Sequence, residues 1–520
     1  MTLNDSETLL LTGARVMGGA GWNLPEWSDA VAIQKGLIAA TGARKELKGR
    51  FPSASEMDLG GALLLPGLGD AHIHFATGGR SLAAVDLVGL DRAGMAERLG
   101  QAARASQRND WLLAFNWESW RTPLNSIFLD GIISNRPLVI HSRDLHSICC
   151  NSRALAAAGV TALTVAPPAG VIMRDANNTP TGILRDEAVN LVLSLIPQPD
   201  AAAIASNILA AQEHLARLGV TAVSEILDEG AESVYRTLDA DGRLKLQVDA
   251  WRRLDHGGID SPPPPPGNRL QVNTVKVFLD GSFGSHTAAL DTPYLDDPGN
   301  TGLLTYQDED LLEQLETVTR LGWRIAAHAI GDRAVRQAAR VIAQLPRVQS
   351  GPHRIEHLQL LPPRGGDEIK MSGAVASVQP VHLRDDAPWL AGRIGRERCR
   401  RCFIWRSLLQ AGIPLALGSD WPVASANPCL NLQAAINRLD APEANGGDFQ
   451  AEEALPPHLA VRAATYGWAV AAGLEHQHGA IAPGMTADLT AVGGVSDDLR
   501  EWSNARVILN ICAGRVIYQR

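Results

Sequence analysis

The sequence predicts an α/β protein whose centre is a TIM-like (β/α)8 barrel. Eight short apolar segments follow one another, and helix-forming stretches at 201–218, 308–321 and 334–345 separate several of them. Strands that alternate with helices indicate parallel βαβ units, and eight such strands close a barrel. The predicted strands are the segment that ends at His74 and the ranges 219–226, 244–251, 274–279, 324–328, 354–357, 374–378 and 415–418.

The two ends of the chain resemble each other more than they resemble the middle. Short apolar runs punctuated by glycine predict strands at 8–17, 30–37 and 57–65, and again at 487–492 and 506–518, where Gly514 is a turn. The simplest arrangement joins the ends into one composite β-sandwich, residues 1–66 plus 479–520. The barrel then comprises residues 67–78 plus 200–478.

The interval 79–199 does not follow the strand–helix rhythm. It is far longer than a loop between a barrel strand and its helix should be, and it carries two predicted strands of its own, at 111–117 and 137–142. We therefore expect an inserted α+β subdomain over the barrel mouth, after the first barrel strand. The five prolines at 262–266 predict a stiff, extended connection, with an SH3-type ligand as the alternative.

Composition limits the class of protein. The chain has 520 residues, 45% hydrophobic and 20% charged, which is long enough for a barrel of ~250 residues plus additions. The net charge of −9 argues against nucleic acid as a partner. The acidic start lacks the pattern of a secretory signal, and no apolar run reaches the ~20 residues of a membrane span. The default expectations are a cytoplasmic location and a small-molecule substrate; a homodimer stays open.

The six cysteines do not form the dense pattern of a disulfide-rich protein. The sequence Cys399-Arg-Arg-Cys402 is a single C-x-x-C pair, whereas a zinc knuckle needs a second pair nearby. Cationic neighbours lower the pKa of a thiol, so a redox role is one interpretation. The alternative is an arginine-rich surface helix.

The pattern with the strongest chemical content is His72-Ile73-His74, which follows the apolar run 62–65. Alternate side chains of a strand point to the same face, so His72 and His74 share a face. Two imidazoles placed in this way can bind one divalent ion. The alternative is two histidines that share a strand face by chance.

Four further candidate ligands lie at or near the ends of predicted barrel strands. Lys276 alternates with two valines and should point into the barrel, where a lysine is costly unless it is neutralised. His328, His357 and Asp420 each end or follow a short apolar run. The ends of parallel barrel strands converge on one face, where catalytic groups gather. Lys276 is either one partner of a buried ion pair, for example with Asp280, or a lysine carboxylated by carbon dioxide.

The chain resembles the amidohydrolase superfamily, and in particular its amidohydrolase-3 branch, which is YtcJ-like and includes N-substituted formamide deformylases. The order His-x-His, Lys, His, His, Asp on eight strands matches the superfamily. The segments that match the branch are LPGLGDAHIH (65–74), HSICCNSRAL (146–155), TGILRDEA (181–188), VKVFLDGSFGS (275–285), HAIGDRA (328–334), RIEH (354–357) and GSDWPV (418–423).

This resemblance implies the ligand set of the site. His72, His74 and Asp420 would hold one divalent metal ion, and His328 and His357 would hold a second. It also implies the split β-sandwich and the insertion after the first barrel strand. A site with a single metal ion is the alternative within the same family.

The resemblance also implies that carbamylated Lys276 bridges the two ions. Imidazole mixed with carboxylate-like oxygen favours Zn²⁺. A metal-activated water would attack a carbonyl carbon, with Asp420 as general base and then general acid. The expected activity is hydrolysis of a carbon–nitrogen bond in a non-peptide amide or formamide. Alternatives are hydrolysis of an ester or lactone at the same metal centre, and a metal-free barrel that serves as a scaffold or binding protein.

Substrate contacts are expected from aromatic and histidine side chains near the mouth. The candidates are Trp117, His146, His382, Trp389 and Trp421. Ordinary packing of large apolar rings is the alternative. Two other positions are open. Asp332 caps the following helix or acts in catalysis, and His286 stands where the branch is expected to carry arginine.

Overall fold

The computed structural model describes residues 8–105, 111–118, 121–168, 170–438 and 449–520. The first seven residues, on which the expectation about a secretory signal rests, lie outside the described residues. Within the described parts the chain forms three sheets and a set of helices that alternate with the strands of the largest parallel sheet.

The eight predicted barrel strands all form, in the predicted order, and they pair in parallel with their neighbours in the sequence. The (β/α)8 barrel is therefore confirmed. Its strands are β6 (Leu68–Ile73), β13 (Val220–Ile226), β14 (Gln247–Arg253), β15 (Leu270–Phe278), β16 (Arg324–Ala329), β17 (Arg354–His357), β18 (Val375–Val378) and β19 (Leu415–Leu417).

The first and last barrel strands meet at a close seam. The backbone N–H of Asp420 donates to the carbonyl oxygen of His72 at 2.7 Å, and the N–H of Ser419 donates to Asp70 Oδ1 at 2.9 Å. Gly418 passes so close that a Cβ there would lie 2.6 Å from the backbone nitrogen of His72. Closure of the barrel thus brings His72 and Asp420 together.

The two ends of the chain combine in a second sheet of eight strands. Seven strands follow the order β22-β21-β20-β5-β1-β2-β3, and β4 pairs in parallel with β1. The strands are β1 (Thr8–Gly18), β2 (Glu26–Gln34), β3 (Leu37–Gly42), β4 (Ser55–Asp58), β5 (Leu63–Pro66), β20 (Leu489–Gly493), β21 (Arg506–Cys512) and β22 (Arg515–Gln519).

Two strand predictions at the N-terminal end were wrong in their bounds. The range 30–37 spans a hairpin turn, since Lys35 and Gly36 have φ of 50° and 78° and end the first strand. The range 57–65 is interrupted by Gly60 and Gly61, both with positive φ. Glycine and turn chemistry divide each apolar run into two strands.

The third sheet lies in the predicted insertion, in the order β11-β12-β10-β9-β8-β7. Its strands are β7 (Val85–Asp86), β8 (Leu112–Trp117), β9 (Leu138–Ser142), β10 (Ser147–Cys150), β11 (Gly170–Arg174) and β12 (Pro180–Asp186). This sheet contacts barrel loops, because Ser147 Oγ lies 2.8 Å from Ser285 Oγ and Arg143 Nε donates to the carbonyl oxygen of Val423 at 3.0 Å. The division of the chain into three domains at the stated boundaries stays a prediction.

Helices cover the barrel and fill the connections. They are α1 (Arg44–Arg50), α2 (Phe75–Ser81), α3 (Arg92–Ala105), α4 (Ser126–Asp130), α5 (Ser152–Ala157), α6 (Asn190–Leu193), α7 (Ala201–Arg217), α8 (Ala231–Ala240), α9 (Asp308–Arg320), α10 (Asp332–Ile342), α11 (Gly365–Ser372), α12 (Pro380–Ile394), α13 (Arg396–Cys399), α14 (Trp405–Gln410), α15 (Pro428–Asn437), α16 (Pro457–Ala464) and α17 (Tyr466–Ala472). Short 3₁₀ helices occur at Glu187–Val189, Leu254–His256 and Ala451–Glu453. Among the helices of the described ranges, none combines the length and apolar character that a membrane crossing requires.

The barrel interior contains charged residues as well as apolar ones. Arg324, Asp249, Arg354 and Glu356 all have side chains with 0% exposure. Arg324 Nη2 lies 2.7 Å from Asp249 Oδ1, and Arg354 Nε lies 2.6 Å from Glu356 Oε1. Burying a charge is costly in free energy unless it is paired and hydrogen-bonded. Loss of one partner in these pairs would therefore leave the other as an unpaired buried charge.

Gly79 allows two helices to approach closely. A Cβ at Gly79 of α2 would lie 1.9 Å from the backbone carbonyl oxygen of Asn207 in α7. Backbone cannot move aside as a flexible side chain can. Gly100, inside α3, offers a control, because a Cβ there would meet only the far end of Arg104 at 3.5 Å.

We expect Gly79→Ala to lower the stability of the protein by at least about 1–3 kcal/mol, because the added methyl group forces α2 and α7 apart. Gly100→Ala should leave stability unchanged or raise it by up to about 1 kcal/mol, since alanine favours a helix interior. Urea denaturation midpoints of both variants test this. Equal midpoints would contradict the close approach of the two helices.

Candidate metal centre

The predicted ligands converge at one end of the barrel. His72 lies on β6, His74 directly follows it, His328 is on β16, His357 ends β17, and Asp420 follows β19. All five line one cavity of about 440 Å³ at the carboxyl ends of the strands. This is the face on which barrel enzymes carry their catalytic groups.

His72, His74 and Asp420 form a compact group whose ligand atoms lie within 4.8 Å of one another. Asp420 Oδ1 is 3.5 Å from His72 Nε2 and 3.3 Å from His74 Nε2. Two ligands bound about 2.0–2.1 Å from a tetrahedral zinc ion are roughly 3.4 Å apart. The spacing therefore fits a divalent ion between the three side chains.

A second group of three shares Asp420 with the first. It contains His357, His382 and Asp420, again with ligand atoms within 4.8 Å. His382 Nε2 lies 3.8 Å from Asp420 Oδ2. His382, which was predicted as a substrate contact, lies beside two of the predicted ligands and also lines a smaller cavity that adjoins the first.

Several buried atoms of these two groups make no hydrogen bond. They are both ring nitrogens of His357, Nε2 of His382 and Oδ1 of Asp420. Buried polar atoms are nearly always hydrogen-bonded, so unsatisfied imidazole and carboxylate atoms that face one another require another partner. A divalent metal ion fits this donor set.

Burial sets the protonation of the histidines. Burial and the charge of Lys276 lower the pKa of His72 to about 4. Burial and neighbouring cations hold the pKa of His328 and of His357 well below the ordinary histidine value. Neutral imidazole is the form that ligates metal, so these rings are ready to bind an ion at neutral pH.

The carboxylate of Asp420 is kept ionised by its neighbours. Burial alone would raise its pKa, but His72, His74 and His382 together hold the pKa below its usual value. Asp420 also has left-handed backbone, with φ of 59°, as does His357 with φ of 73°. Such backbone costs of order 1–3 kcal/mol at a residue other than glycine and is concentrated at functional sites.

Lys276 is fully buried inside the barrel next to this group. Its Nζ lies 3.5 Å from His72 Nε2 and 4.8 Å from the ring centroid of Phe278. Burial lowers the pKa of Lys276 to about 7, so a large fraction of the amine is neutral near neutral pH. Among the described residues, no carboxylate forms an ion pair with Lys276, in contrast to the ion-pair interpretation.

Asp280, the suggested ion-pair partner of Lys276, has other contacts. Its carboxylate accepts hydrogen bonds from the backbone N–H groups of Ala289, Ile330 and Gly331 at 2.8–3.0 Å. Asp280 Oδ1 is also 3.5 Å from His328 Nε2. The same His328 nitrogen is 3.2 Å from the carbonyl oxygen of Gly281, so this carboxylate and carbonyl fix the orientation of the His328 ring.

Sequence reasoning missed the role of Glu356. This residue has 0% side-chain exposure, and its Oε2 lies 2.6 Å from Nδ1 of His72. Burial alone would raise the pKa of Glu356, but Arg354 and His72 lower it to about 2. An ionised carboxylate at Nδ1 fixes the tautomer of His72 so that Nε2 carries the lone pair toward Asp420. The signal that the sequence offered for this role was a charged residue, Glu356, within the short buried strand segment RIEH (354–357).

The expected substrate contacts divide into two sets. His146 lines the cavity, with its ring centroid 5.4 Å from that of His328 and Nδ1 2.7 Å from Asp186 Oδ1. Trp389 lines a smaller adjoining cavity of about 60 Å³.

Trp117 is 1% exposed within the core of the insertion, where its Nε1 donates to the carbonyl oxygen of Thr122 at 2.7 Å. The structure therefore does not place Trp117 at the cavity.

Trp421 packs against residues next to the predicted ligands. Its ring stacks on that of His214 at 5.3 Å, and its carbonyl oxygen accepts a hydrogen bond from the backbone N–H of His74 at 2.9 Å. A Cβ at Gly78 would lie 2.2 Å from its ring. Trp421 thus packs beneath His74 and is absent from the cavity lining.

The structure also places four further residues that the sequence singled out. Asp332 is the first residue of α10, not its cap, and its Oδ1 accepts a hydrogen bond from the backbone N–H of Asp291 at 3.0 Å. His286 lies between Arg393 and Asp296, away from the cavity lining. Cys399 and Cys402 are both buried rather than on a surface helix, and burial raises the pKa of Cys402, which opposes a reactive thiolate.

The prolines at 262–266 lie in an irregular connection, residues 257–269, between β14 and β15. This connection is attached to the barrel, because Trp323 Nε1 donates to the carbonyl oxygen of Ser261 at 2.8 Å. The stiff, extended form of this connection stays a prediction, as does its alternative, an SH3-type ligand.

Several known proteins are similar to this chain in sequence or in fold. The chain is similar to the putative amidohydrolase YtcJ of Bacillus subtilis, at 30% identity over 95% of this chain and 96% of that protein. It is also similar to the N-substituted formamide deformylase of Arthrobacter pascens, at 24% identity over 89% of each chain. A solved metal-dependent hydrolase of Pyrococcus horikoshii superposes with a TM-score of 0.77, at 28% identity over 95% of this chain and 98% of that one.

A family model provides the remaining comparison. The amidohydrolase family model matches residues 55–518, which include all six predicted metal ligands. Both the sequence relatives and the solved hydrolase extend over nearly the whole chain. The chain therefore belongs to the amidohydrolase family.

Proposed function

We propose that this protein hydrolyses the carbon–nitrogen bond of a small non-peptide amide or formamide at a divalent metal centre. The observation that carries the proposal is the group of His72, His74 and Asp420, with ligand atoms within 4.8 Å of one another at the barrel mouth. The similarity to an N-substituted formamide deformylase supports the choice of bond.

The residues in place fit one or two zinc ions. His72, His74 and Asp420 would hold the first ion, and the family pattern assigns His328 and His357 to a second. Zn²⁺ held there supplies Lewis acidity, which makes water a nucleophile near neutral pH and polarises a carbonyl. Carboxylation of Lys276 would convert its amine into an anionic oxygen ligand, and the lowered pKa of this amine supports that step.

Asp420 is positioned to move the proton. Its carboxylate is ionised at neutral pH and contacts His74 and His72 through Oδ1, so it faces the space where water would be bound. It can accept a proton from the attacking water and then deliver it to the leaving nitrogen, as general base and then general acid. A carboxylate can perform both steps without leaving the site.

His146 is the proposed substrate contact. Burial alone would lower its pKa, but Asp186, Asp144 and Asp280 raise it to about 9. Nδ1 is held by Asp186, so the ring can donate a hydrogen bond from Nε2 into the cavity. A protonated imidazole there suits an oxygen of the substrate. The small-molecule specificity would then come from the insertion, which carries both His146 and Asp186.

The direct test of the proposed function is metal analysis combined with a panel of formamides, amides, esters and lactones. We expect bound zinc, loss of hydrolysis after chelation and recovery on adding Zn²⁺, because the nucleophile depends on the ion. The amide or formamide should have the highest kcat/KM. A preference for esters would support the ester alternative, and a metal-free, inactive protein from zinc-replete expression would support the scaffold alternative.

We expect Lys276→Ala to lower kcat by about 100-fold or more and to remove at least one metal equivalent, because loss of a ligand weakens metal binding. Acetate should restore part of the activity by supplying a carboxylate in the space of the side chain. The measurements are kcat and elemental analysis of the folded variant. Unchanged metal content and turnover would refute the bridging role.

Asp420→Asn should lower kcat by about 10²–10⁴-fold, because an amide oxygen can still face a metal ion but cannot accept the proton of water. Ser419→Ala is a neighbouring control that removes a hydroxyl which donates to Asp70 and accepts from the backbone N–H of Trp421 at 3.1 Å. It should keep most of the turnover. Comparable losses in the two variants would indicate a structural role for the segment rather than proton transfer by Asp420.

A further inference from the structure

One wall of the cavity carries an arginine that has no direct ionic partner. Arg80 lies on α2, the helix that begins directly after His74, and its half-buried side chain lines the cavity. Its guanidinium carbon is 5.8 Å from the centroid of the Phe115 ring. Among the described residues, none accepts a hydrogen bond from this guanidinium or forms an ion pair with it. Arginine stays protonated at neutral pH, so an unpaired cation lines the cavity.

The carboxylate of Asp228 acts on Arg80 from a distance but does not neutralise it. Asp228 Oδ2 accepts a hydrogen bond from Thr77 Oγ1 at 2.8 Å, and Asp228 is exposed. Burial lowers the pKa of Arg80, and the negative charge of Asp228 offsets this effect only in part. Removing a cation from water costs free energy unless it is paired, so an anion bound at this wall would stabilise the guanidinium.

A second side chain without a hydrogen-bond partner lines the same cavity. His141 of the insertion is 9% exposed, and its buried Nε2 makes no hydrogen bond. Its ring stacks on that of Phe115, with centroids 4.6 Å apart and an angle of 7° between the planes. Phe115 therefore contacts both His141 and Arg80. Burial and the charge of Arg80 lower the pKa of His141 to about 3, so its imidazole is neutral at neutral pH and has one N–H to donate.

Building on the proposed hydrolase function, we propose that Arg80 and His141 form a subsite for a carboxylate that the substrate carries apart from its reacting amide. The planar fork of a guanidinium matches the two oxygens of a carboxylate, and the N–H of a neutral imidazole adds a further donor. A carboxylate suits this wall better than a doubly charged phosphate, because one guanidinium balances one negative charge and Asp228 already contributes negative potential.

Helix α2 sets the distance between this carboxylate subsite and the metal centre. His74 is the residue that precedes the helix, and Arg80 follows it by six positions, so their Cα atoms are roughly 9 Å apart along the helix axis. Thr77, halfway between them, also lines the cavity, as residues three apart on one helix face should. Leu193 and Ile196 give the cavity an apolar wall. The substrate class is therefore an N-alkyl formamide or amide whose hydrocarbon spacer ends in a carboxylate.

The experiment compares N-formyl-6-aminohexanoate with N-hexylformamide, in which a methyl group replaces the carboxylate. The variants are Arg80→Gln, Arg80→Lys and His141→Phe, which keeps the stacked ring and removes its nitrogen atoms. Arg92→Gln is the matched control, because Arg92 of α3 lies 4.5 Å from the centroid of the Phe128 ring and is absent from the cavity lining. It removes the same charge and the same kind of ring contact. Circular dichroism and thermal melting verify the fold of each variant.

We expect the wild type to have the higher kcat/KM for the carboxylated formamide, and Arg80→Gln to lower that value by about 10–100-fold, the effect of losing a charge-assisted hydrogen bond. The loss should fall on KM, because a contact remote from the reacting bond is equal in ground and transition states. His141→Phe and Arg80→Lys should give smaller losses of the same kind. For N-hexylformamide, and for Arg92→Gln with both formamides, we expect changes below about 3-fold.

Equal kcat/KM for the two formamides in the wild type, or equal losses for both in Arg80→Gln, would overturn the carboxylate subsite and leave the proposed function intact. Calorimetric titration with hexanoate and hexanamide gives a readout that needs no turnover. Arg80→Gln should weaken the binding of hexanoate by about 10-fold or more and leave that of hexanamide unchanged. If neither formamide is hydrolysed, the proposed function fails, and this titration alone decides the subsite: hexanoate that binds the wild type and Arg80→Gln equally, or neither of them, overturns it.

Discussion

The 2.6 Å contact between Glu356 and His72 is the interaction on which the site depends. It joins the first barrel strand to the sixth and holds a fully buried imidazole in one tautomer. Glu356 is in turn held by Arg354, whose guanidinium also donates to the carbonyl oxygen of Ala71 and to Ser377 Oγ. A buried carboxylate needs such partners, because unpaired it would cost several kcal/mol.

This arrangement explains why the barrel is closed by polar contacts as well as by apolar packing. Apolar residues of the strands and helices form one continuous core around the barrel. The inner polar residues connect barrel strands that are not neighbours, from Arg324 on β16 through Asp249 on β14 to Arg354 and Glu356 on β17. The chain of charges ends at His72, so the ligand position and the integrity of the barrel share the same contacts.

Much of the fold followed from the sequence because its signals are local. Apolar runs, glycine turns and helix periodicity located all eight barrel strands, and His-x-His placed two imidazoles on one strand face by alternation alone. The strand bounds at 30–37 and 57–65 were wrong because glycine turns interrupted apolar runs. The role of Glu356 could not be read from the sequence, since its partner is 284 positions away.

The sequence by itself determined the order of the strands, the candidate ligands and the family, because these depend on residue type and spacing. Only the tertiary structure decided which of those residues meet. In the folded chain Trp117 is buried away from the cavity, and His382 lies beside Asp420. Nε2 of His328 lies within hydrogen-bonding distance of the carbonyl oxygen of Gly281. The physical reason is that closing the barrel fixes side-chain directions and burial, and neither is encoded in the spacing of residues along a strand.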